Sequence, residues 1–270
     1  MNQWIETSDG FQWRGADKDT GVWALRIDDV TPGLYFRKSG TEGWFGPFLG
    51  LLGLTARSQG EAGNVGRSSL TLCDTTRERI ELQFQPAGWH ETTVRCIWSA
   101  SGAHQFDLLA EVSTRSVGML FGVEVGVVSC AWSIAEPTNE WRFAVRDEAA
   151  SMRSIDGREP AWNKHAHLFS VDETVTGFAD ERTWPPTLSY SRDDSVRFLE
   201  TAHPHDISRR YRSADGRTQR TWALGYDLER GVVLRARFRG RRLEADEVAD
   251  WLTLNAWQEA FLREPLPLER

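Results

Sequence analysis

The sequence predicts an all-β chain: a large antiparallel β-sandwich ending in one C-terminal α-helix, as a single domain over residues 1–270. Three observations predict it. Apolar and polar residues alternate at a period of two through most of the chain. Helical spacing is confined to the last thirty or so residues. Gly and Pro are scattered, with no polar linker and no repeat of fixed length. With 270 residues, 40% hydrophobic and 26% charged, the chain is long enough to bury a sizeable core and too apolar for disorder.

In chain order, strands are expected at Trp13–Asp29, Leu34–Lys38 and Ser69–Cys73. The apolar stretch Trp44–Leu54 is broken by Gly46, Pro47, Gly50 and Gly53 and is too short to span a bilayer. Arg79–Gln85 sets Ile80, Leu82 and Phe84 on one face and Glu81, Gln83 and Gln85 on the other. Thr92–Trp98 and Gln105–Val112, the second with Phe106, Leu108, Ala110 and Val112 inward, flank a Ser99–Gly102 turn and predict a hairpin. Further strands are expected at Met119–Ile134, Trp141–Arg146, His167–Val171, Leu188–Arg192 and Ser195–Thr201. A last hairpin is expected over Thr221–Asp227 and Val232–Gly240, turning at Leu228–Gly231. The helix is expected over about 246–263. Glu244, Asp246 and Glu247 suit its N-terminus, Trp251, Leu254, Trp257 and Phe261 form a stripe, and Pro265 and Pro267 close it. That stripe predicts packing over one end or face of the sandwich; a homodimer contact through its two Trp is the alternative.

Charge narrows the function classes. Lys+Arg number 32 against 39 acids, a net −7, which argues against general nucleic-acid binding. Of the 32, three are Lys (Lys18, Lys38, Lys164) and 32 − 3 = 29 are Arg. Either a GC-rich genome or anion recognition by forked guanidiniums accounts for that skew. Between Val196 and Arg242 there are 12 Arg and 5 acids, a local 12 − 5 = +7. Three cysteines (Cys73, Cys96, Cys130) with no CxxC make neither a disulfide framework nor a zinc ribbon. The N-terminus MNQWIETSDGF lacks a basic region followed by an apolar run, so a cytoplasmic protein with no membrane partner is expected.

No GxGxxG, P-loop, GxSxG, HExxH or EF-hand loop is present. Four of the six His form two HxH pairs, His165 with His167 and His203 with His205. Residues i and i+2 of a strand share a face, so the two pairs on adjacent strands would make a four-His site for a divalent metal. Pro204 argues for an edge or loop there instead, and no cofactor is otherwise expected. The polar cluster His203, His205, Asp206, Arg209, Arg210 and Tyr211 lies inside the basic stretch. Polysaccharide lyase chemistry asks for these types: a cation neutralises a uronate carboxylate, and His or Tyr moves the C5 proton. A glycosidase would instead need two facing carboxylates. The competing reading is a polar loop whose arginines meet acids elsewhere. Arg235, Arg237 and Arg239 share one strand face, which predicts a cross-strand charge ladder with Glu81, Asp107 or Glu111, or else a groove for an acidic ligand.

The chain holds 13 Trp beside 4 Tyr. Those in strand patterns are expected in the core. Trp44, Trp89, Trp162 and Trp184 lie in Gly/Pro-rich stretches, where rings suit the apolar faces of sugars. Trp162, Trp184 and Tyr190 therefore join Arg209 and Arg210 as expected substrate-binding residues. The long meander, these tryptophans and the stretch TWALGYDLERGVVLRARFRG (Thr221–Gly240) resemble the galactose-mutarotase-like supersandwich proteins and neighbouring carbohydrate-active β-sandwiches. The likeness is architectural, over most of the chain; that family's catalytic His-x-Tyr-x-Asn-type segment has no counterpart here. It implies a carbohydrate-active enzyme. The residues add an acidic or uronate-containing glycan, with His203, His205, Asp206 and Tyr211 as the catalytic set of a lyase or hydrolase. The alternatives are a four-His metalloenzyme, a non-catalytic sugar-binding module, and a lipocalin-like isomerase or cyclase for an apolar ligand.

Overall fold

The structure, a computed structural model, describes residues 3–15, 21–27, 31–56, 59–89, 91–129, 132–133, 141–146, 152–154, 173–174, 187–191, 196–203, 206–207, 209–212, 220–243 and 251–265. In chain order the strands are β1 (Gln3–Thr7), β2 (Gly10–Arg14), β3 (Gly21–Arg26), β4 (Gly33–Lys38), β5 (Phe45–Phe48), β6 (Gly50–Ala56) and β7 (Gln59–Gly63). Then come β8 (Leu70–Thr75), β9 (Arg79–Phe84), β10 (Thr92–Ala100), β11 (Gln105–Thr114), β12 (Met119–Ser129), β13 (Trp132–Ser133), β14 (Trp141–Arg146) and β15 (Met152–Ser154). The last are β16 (Glu173–Thr174), β17 (Thr187–Ser191), β18 (Arg197–Ala202), β19 (Arg209–Arg212), β20 (Arg220–Glu229) and β21 (Val233–Leu243), followed by helix α1 (Trp251–Leu262). No helix among the described residues is long and apolar enough to cross a membrane.

The strands form three antiparallel sheets. An N-terminal sheet runs β1-β2-β3-β4-β5-β13, a nine-stranded sheet runs β15-β14-β17-β18-β21-β11-β10-β9-β8, and the third runs β16-β19-β20-β12-β6-β7. The faces assigned inward on β9, β10 and β11 are all buried, and the hairpin of β10 with β11 pairs Val94 with Val112 and Trp98 with Leu108. An aromatic joint ties the N-terminal sheet to the nine-stranded one: Trp23 lies 4.9 Å from Phe106 and 6.0 Å from Phe198, ring centre to ring centre. Trp98 Nε1 donates to the Leu49 carbonyl at 3.1 Å, so even a deeply buried indole is satisfied. Burial pushes the Cys96 thiol up, which makes it an inert core residue.

The opposite face of the nine-stranded sheet carries the predicted charge ladder. Register places Arg95 against Glu111 and Glu111 against Arg235, while Asp107 faces Arg239. Glu111 bridges Arg95 at 2.8 Å and Arg235 at 2.5 Å. Glu81 takes Arg95 at 2.6 Å and is also bonded by Arg79. The hydrogen bond from Arg95, then that from Arg79, with both positive charges, outweighs burial and lowers the Glu81 carboxyl to about 2.

Several expectations need correction. The expected strand Trp13–Asp29 is two strands, β2 and β3. The second begins at Gly21, whose φ of 143° and approach to the Arg37 carbonyl exclude a side chain. Met119–Ile134 is likewise β12 and β13. The last hairpin is not one: β20 pairs with β12 and β19, whereas β21 pairs with β11 and β18, so the turn at Glu229–Val232 passes the chain between sheets. Strands β1, β5, β6, β7, β15, β16 and β19 were not expected, and the Gly-rich stretch Trp44–Leu54 supplies two of them. Trp89 is 1% exposed and packs as core, closing on Gly63. The expected strand His167–Val171 and the acids Glu244, Asp246 and Glu247 lie outside the described residues.

Two predictions test the ladder. Glu111→Ala leaves two arginines facing a lost carboxylate and is expected to lower the unfolding free energy by about 3 kcal/mol in urea titration. Because its carboxyl is lowered in the folded state, Glu81 contributes stability above its ordinary value of 4.5 and loses it as pH falls towards about 2. Glu81→Gln should flatten the melting temperature against pH in that window.

Candidate functional site

Of the residues singled out for chemistry, His203 and Asp206 are brought together. β18 ends at Ala202, and the His203 N–H continues the ladder by donating to the Arg237 carbonyl of β21 at 3.0 Å. The chain then turns, with the Asp206 N–H bonded to the His203 carbonyl at 3.0 Å. That turn folds the Asp206 carboxylate back onto β21, where Oδ2 accepts from the Arg237 backbone N–H at 3.1 Å and from its Nε at 2.9 Å. Oδ1 lies 3.7 Å from His203 Nδ1. All three side chains are nearly buried, each about a tenth exposed. At 3.7 Å the carboxylate is a negative charge close to the imidazole, beyond hydrogen-bond reach of Nδ1.

Helix α1 forms the outer wall. Phe261 sits with its ring 6.2 Å from His203 and its face 4.9 Å from the Arg239 guanidinium. Arg239 is held on one side by Asp107, at 2.6 and 2.9 Å, and on the other by Glu264 just past the helix, at 2.7 and 2.9 Å. Burial works to lower the pKa of this guanidinium, and the hydrogen bonds to the two carboxylates more than reverse it. Trp257 Nε1 donates to Gln105 Oε1 at 2.7 Å, and Gln258 Nε2 to Thr201 Oγ1 at 3.0 Å. The helix therefore packs over a face of the sheet by aromatic and polar contacts, and Trp257 is used within the chain.

The other expected site residues that the structure describes lie on other strands. Arg209, Arg210 and Tyr211 lie on β19, in the third sheet, paired with Ala223, Trp222 and Thr221. Tyr190 on β17 pairs with Arg197, six residues before His203. At about 3.3 Å per residue that sets it roughly 20 Å along the strand from the imidazole. His205, Trp162, Trp184, His165 and His167 lie outside the described residues. Among the described residues no three His, Cys, Asp or Glu side chains converge as metal ligands. Arg237, expected in a charge ladder or an anion groove, is the partner of Asp206 that sequence reasoning missed. The signal was its position, since the middle arginine of the Arg235–Arg239 face has no acid opposite it on β11, only Leu109.

No protein-family model matches the chain, and no curated protein sequence matches it. Among solved structures it is similar to a GalM/aldose epimerase homologue from C. elegans, at 8% identity and a TM-score of 0.51. That likeness covers 90% of this chain and 99% of the other. It is also similar to heparan sulfate lyase HepC from Pedobacter heparinus (9% identity, TM-score 0.46) and to a heparinase III (10%, 0.45). Each of these likenesses covers 92% of this chain, which spans only 37% of either enzyme's length. The supersandwich resemblance thus holds as architecture along nearly the whole chain.

Phe261 joins the helix to both His203 and Arg239. Phe261→Ala should cost about 3 kcal/mol in denaturant unfolding and raise the rate at which diethylpyrocarbonate modifies His203, read by peptide mass spectrometry.

Proposed function

We propose that this chain is a carbohydrate-active enzyme working on an acidic or uronate-containing glycan by lyase- or hydrolase-type chemistry. The observation that carries the reading is the His203–Asp206 pair at 3.7 Å, backed by Arg237, at the point where the chain leaves one sheet for another. The fold it sits on is shared over nearly full length with an aldose epimerase homologue, which supports a sugar as substrate. In this reading His203 takes the proton at C5 of a uronate, with the negative charge of Asp206 close to the imidazole. Tyr211 or His205 returns a proton to the leaving oxygen, and Arg209 and Arg210 neutralise the carboxylate whose charge grows as the proton leaves. Trp162 and Trp184 are assigned to the sugar faces, with Tyr190 serving a more distant unit of the chain.

The test is turnover on a panel of uronate-containing and neutral glycans. Lyase action forms an unsaturated uronate with ultraviolet absorbance, whereas hydrolysis forms reducing ends without it. His203→Ala and Tyr211→Phe are expected to lower the rate at least about a hundredfold, the usual share of a general acid or base. Absence of turnover across the panel rejects the reading.

A further inference from the structure

On the far side of the N-terminal sheet lies a second arrangement that the His203 cluster does not use. Strands β2, β3 and β4 send Phe11, Trp13, Trp23, Leu25, Leu34 and Phe36 into the core. By alternation Gln12, Ala24, Arg26, Tyr35 and Arg37 face the other way, and register aligns Gln12 with Ala24 and Ala24 with Tyr35. On that outer face is an open cleft of about 210 Å³, lined among others by Ser8, Asp9, Gln12, Arg26, Arg37 and Trp44. The Arg37 guanidinium lies 4.8 Å from the Trp44 ring centre, and that of Arg26 lies 5.3 Å from the Tyr35 ring.

We propose that this cleft binds one anionic sugar residue of a glycan. Its volume suits a single ring, being below the roughly 300–1,000 Å³ of pockets for drug-sized ligands. Trp44, half-buried, supplies the flat apolar surface on which the C–H face of a sugar rests. Each guanidinium is held near an aromatic ring by a cation–π contact, and its planar fork suits a carboxylate or sulfate of the sugar. The Ser8 hydroxyl, the Gln12 amide and the Asp9 carboxylate suit sugar hydroxyls, and Ala24 keeps the floor low. Two arginines against one aspartate give the lining a net positive charge, which selects an anionic ring over a neutral one. The sugar class rests on the carbohydrate reading above, but the cleft is asked only to bind.

The experiment is calorimetric titration of the full chain with tetragalacturonate, a chondroitin sulfate tetrasaccharide and neutral cellotetraose. At least one anionic sugar is expected to bind, and cellotetraose about tenfold more weakly or not at all. Trp44→Ala, Arg37→Met and Arg26→Gln should each weaken the anionic sugar about tenfold, while Lys38→Met on the same strand leaves it unchanged. Whichever anionic sugar binds tighter identifies the group as carboxylate or sulfate. Equal binding of cellotetraose, wild-type affinity in the two arginine variants, or no binding by any sugar overturns the proposal. Binding lost in the variants with turnover kept supports both readings, binding without turnover rejects only the catalytic one, and turnover without binding here rejects only this one.

Discussion

A guanidinium cannot be drawn out of water without a carboxylate to meet it, and that constraint organises the outer face of the nine-stranded sheet. Arg235, Arg237 and Arg239 come from one strand late in the chain, and their acids come from three different places: Glu111 and Asp107 on β11, Asp206 in the turn after β18, and Glu264 after α1. Each pairing fixes a strand register or docks an element. Slipping β21 by one residue would put its arginines into the apolar core and its Ala236 and Phe238 outside. The apolar inner face and the paired outer face therefore demand the same alignment, and neither could be satisfied in another register.

The same requirement accounts for the C-terminal helix. Arg239 needs more than Asp107, because it lies under the helix and is itself buried. Glu264 completes its coordination and Phe261 covers its face. The helix is thus fastened where the sheet carries a buried cation, and its aromatic stripe serves polar partners as much as apolar ones. The His203–Asp206 pair lies beneath the same wall, against Arg237 and Phe261.

Period-two alternation made the inner faces of β9, β10 and β11 legible, because a buried sheet face tolerates no polar residue without a partner. It also made the arginine ladder legible, since like charges on one face must find opposite charges across the sheet. Topology was less legible. A short turn between two alternating runs reads as a hairpin, yet Glu229–Val232 sends its strands into separate sheets, a choice made by packing and not by the turn. Strands β5 and β6 were hidden because their close approaches use glycine: a Cβ at Gly33 would meet Gly50 at 2.6 Å. The Asp206 contact was hidden for a related reason. Its partner lies thirty-one residues away on a strand whose alignment only the fold supplies.

The fate of the basic stretch bears on where an anion would bind. The stretch carries a local charge of 12 − 5 = +7. Yet Arg235, Arg237 and Arg239 are neutralised by carboxylates, largely from outside the stretch. A charge already paired at 2.5–2.9 Å has little left for a ligand. At the N-terminal sheet the arrangement differs: among the described residues, Arg26 and Arg37 meet aromatic rings. A ring attracts a guanidinium without bringing a carboxylate to it. The density that builds the ladder consumes itself, so Arg235, Arg237 and Arg239 serve the fold. In the proposed cleft, recognition falls instead to the two sparse arginines beside Tyr35 and Trp44.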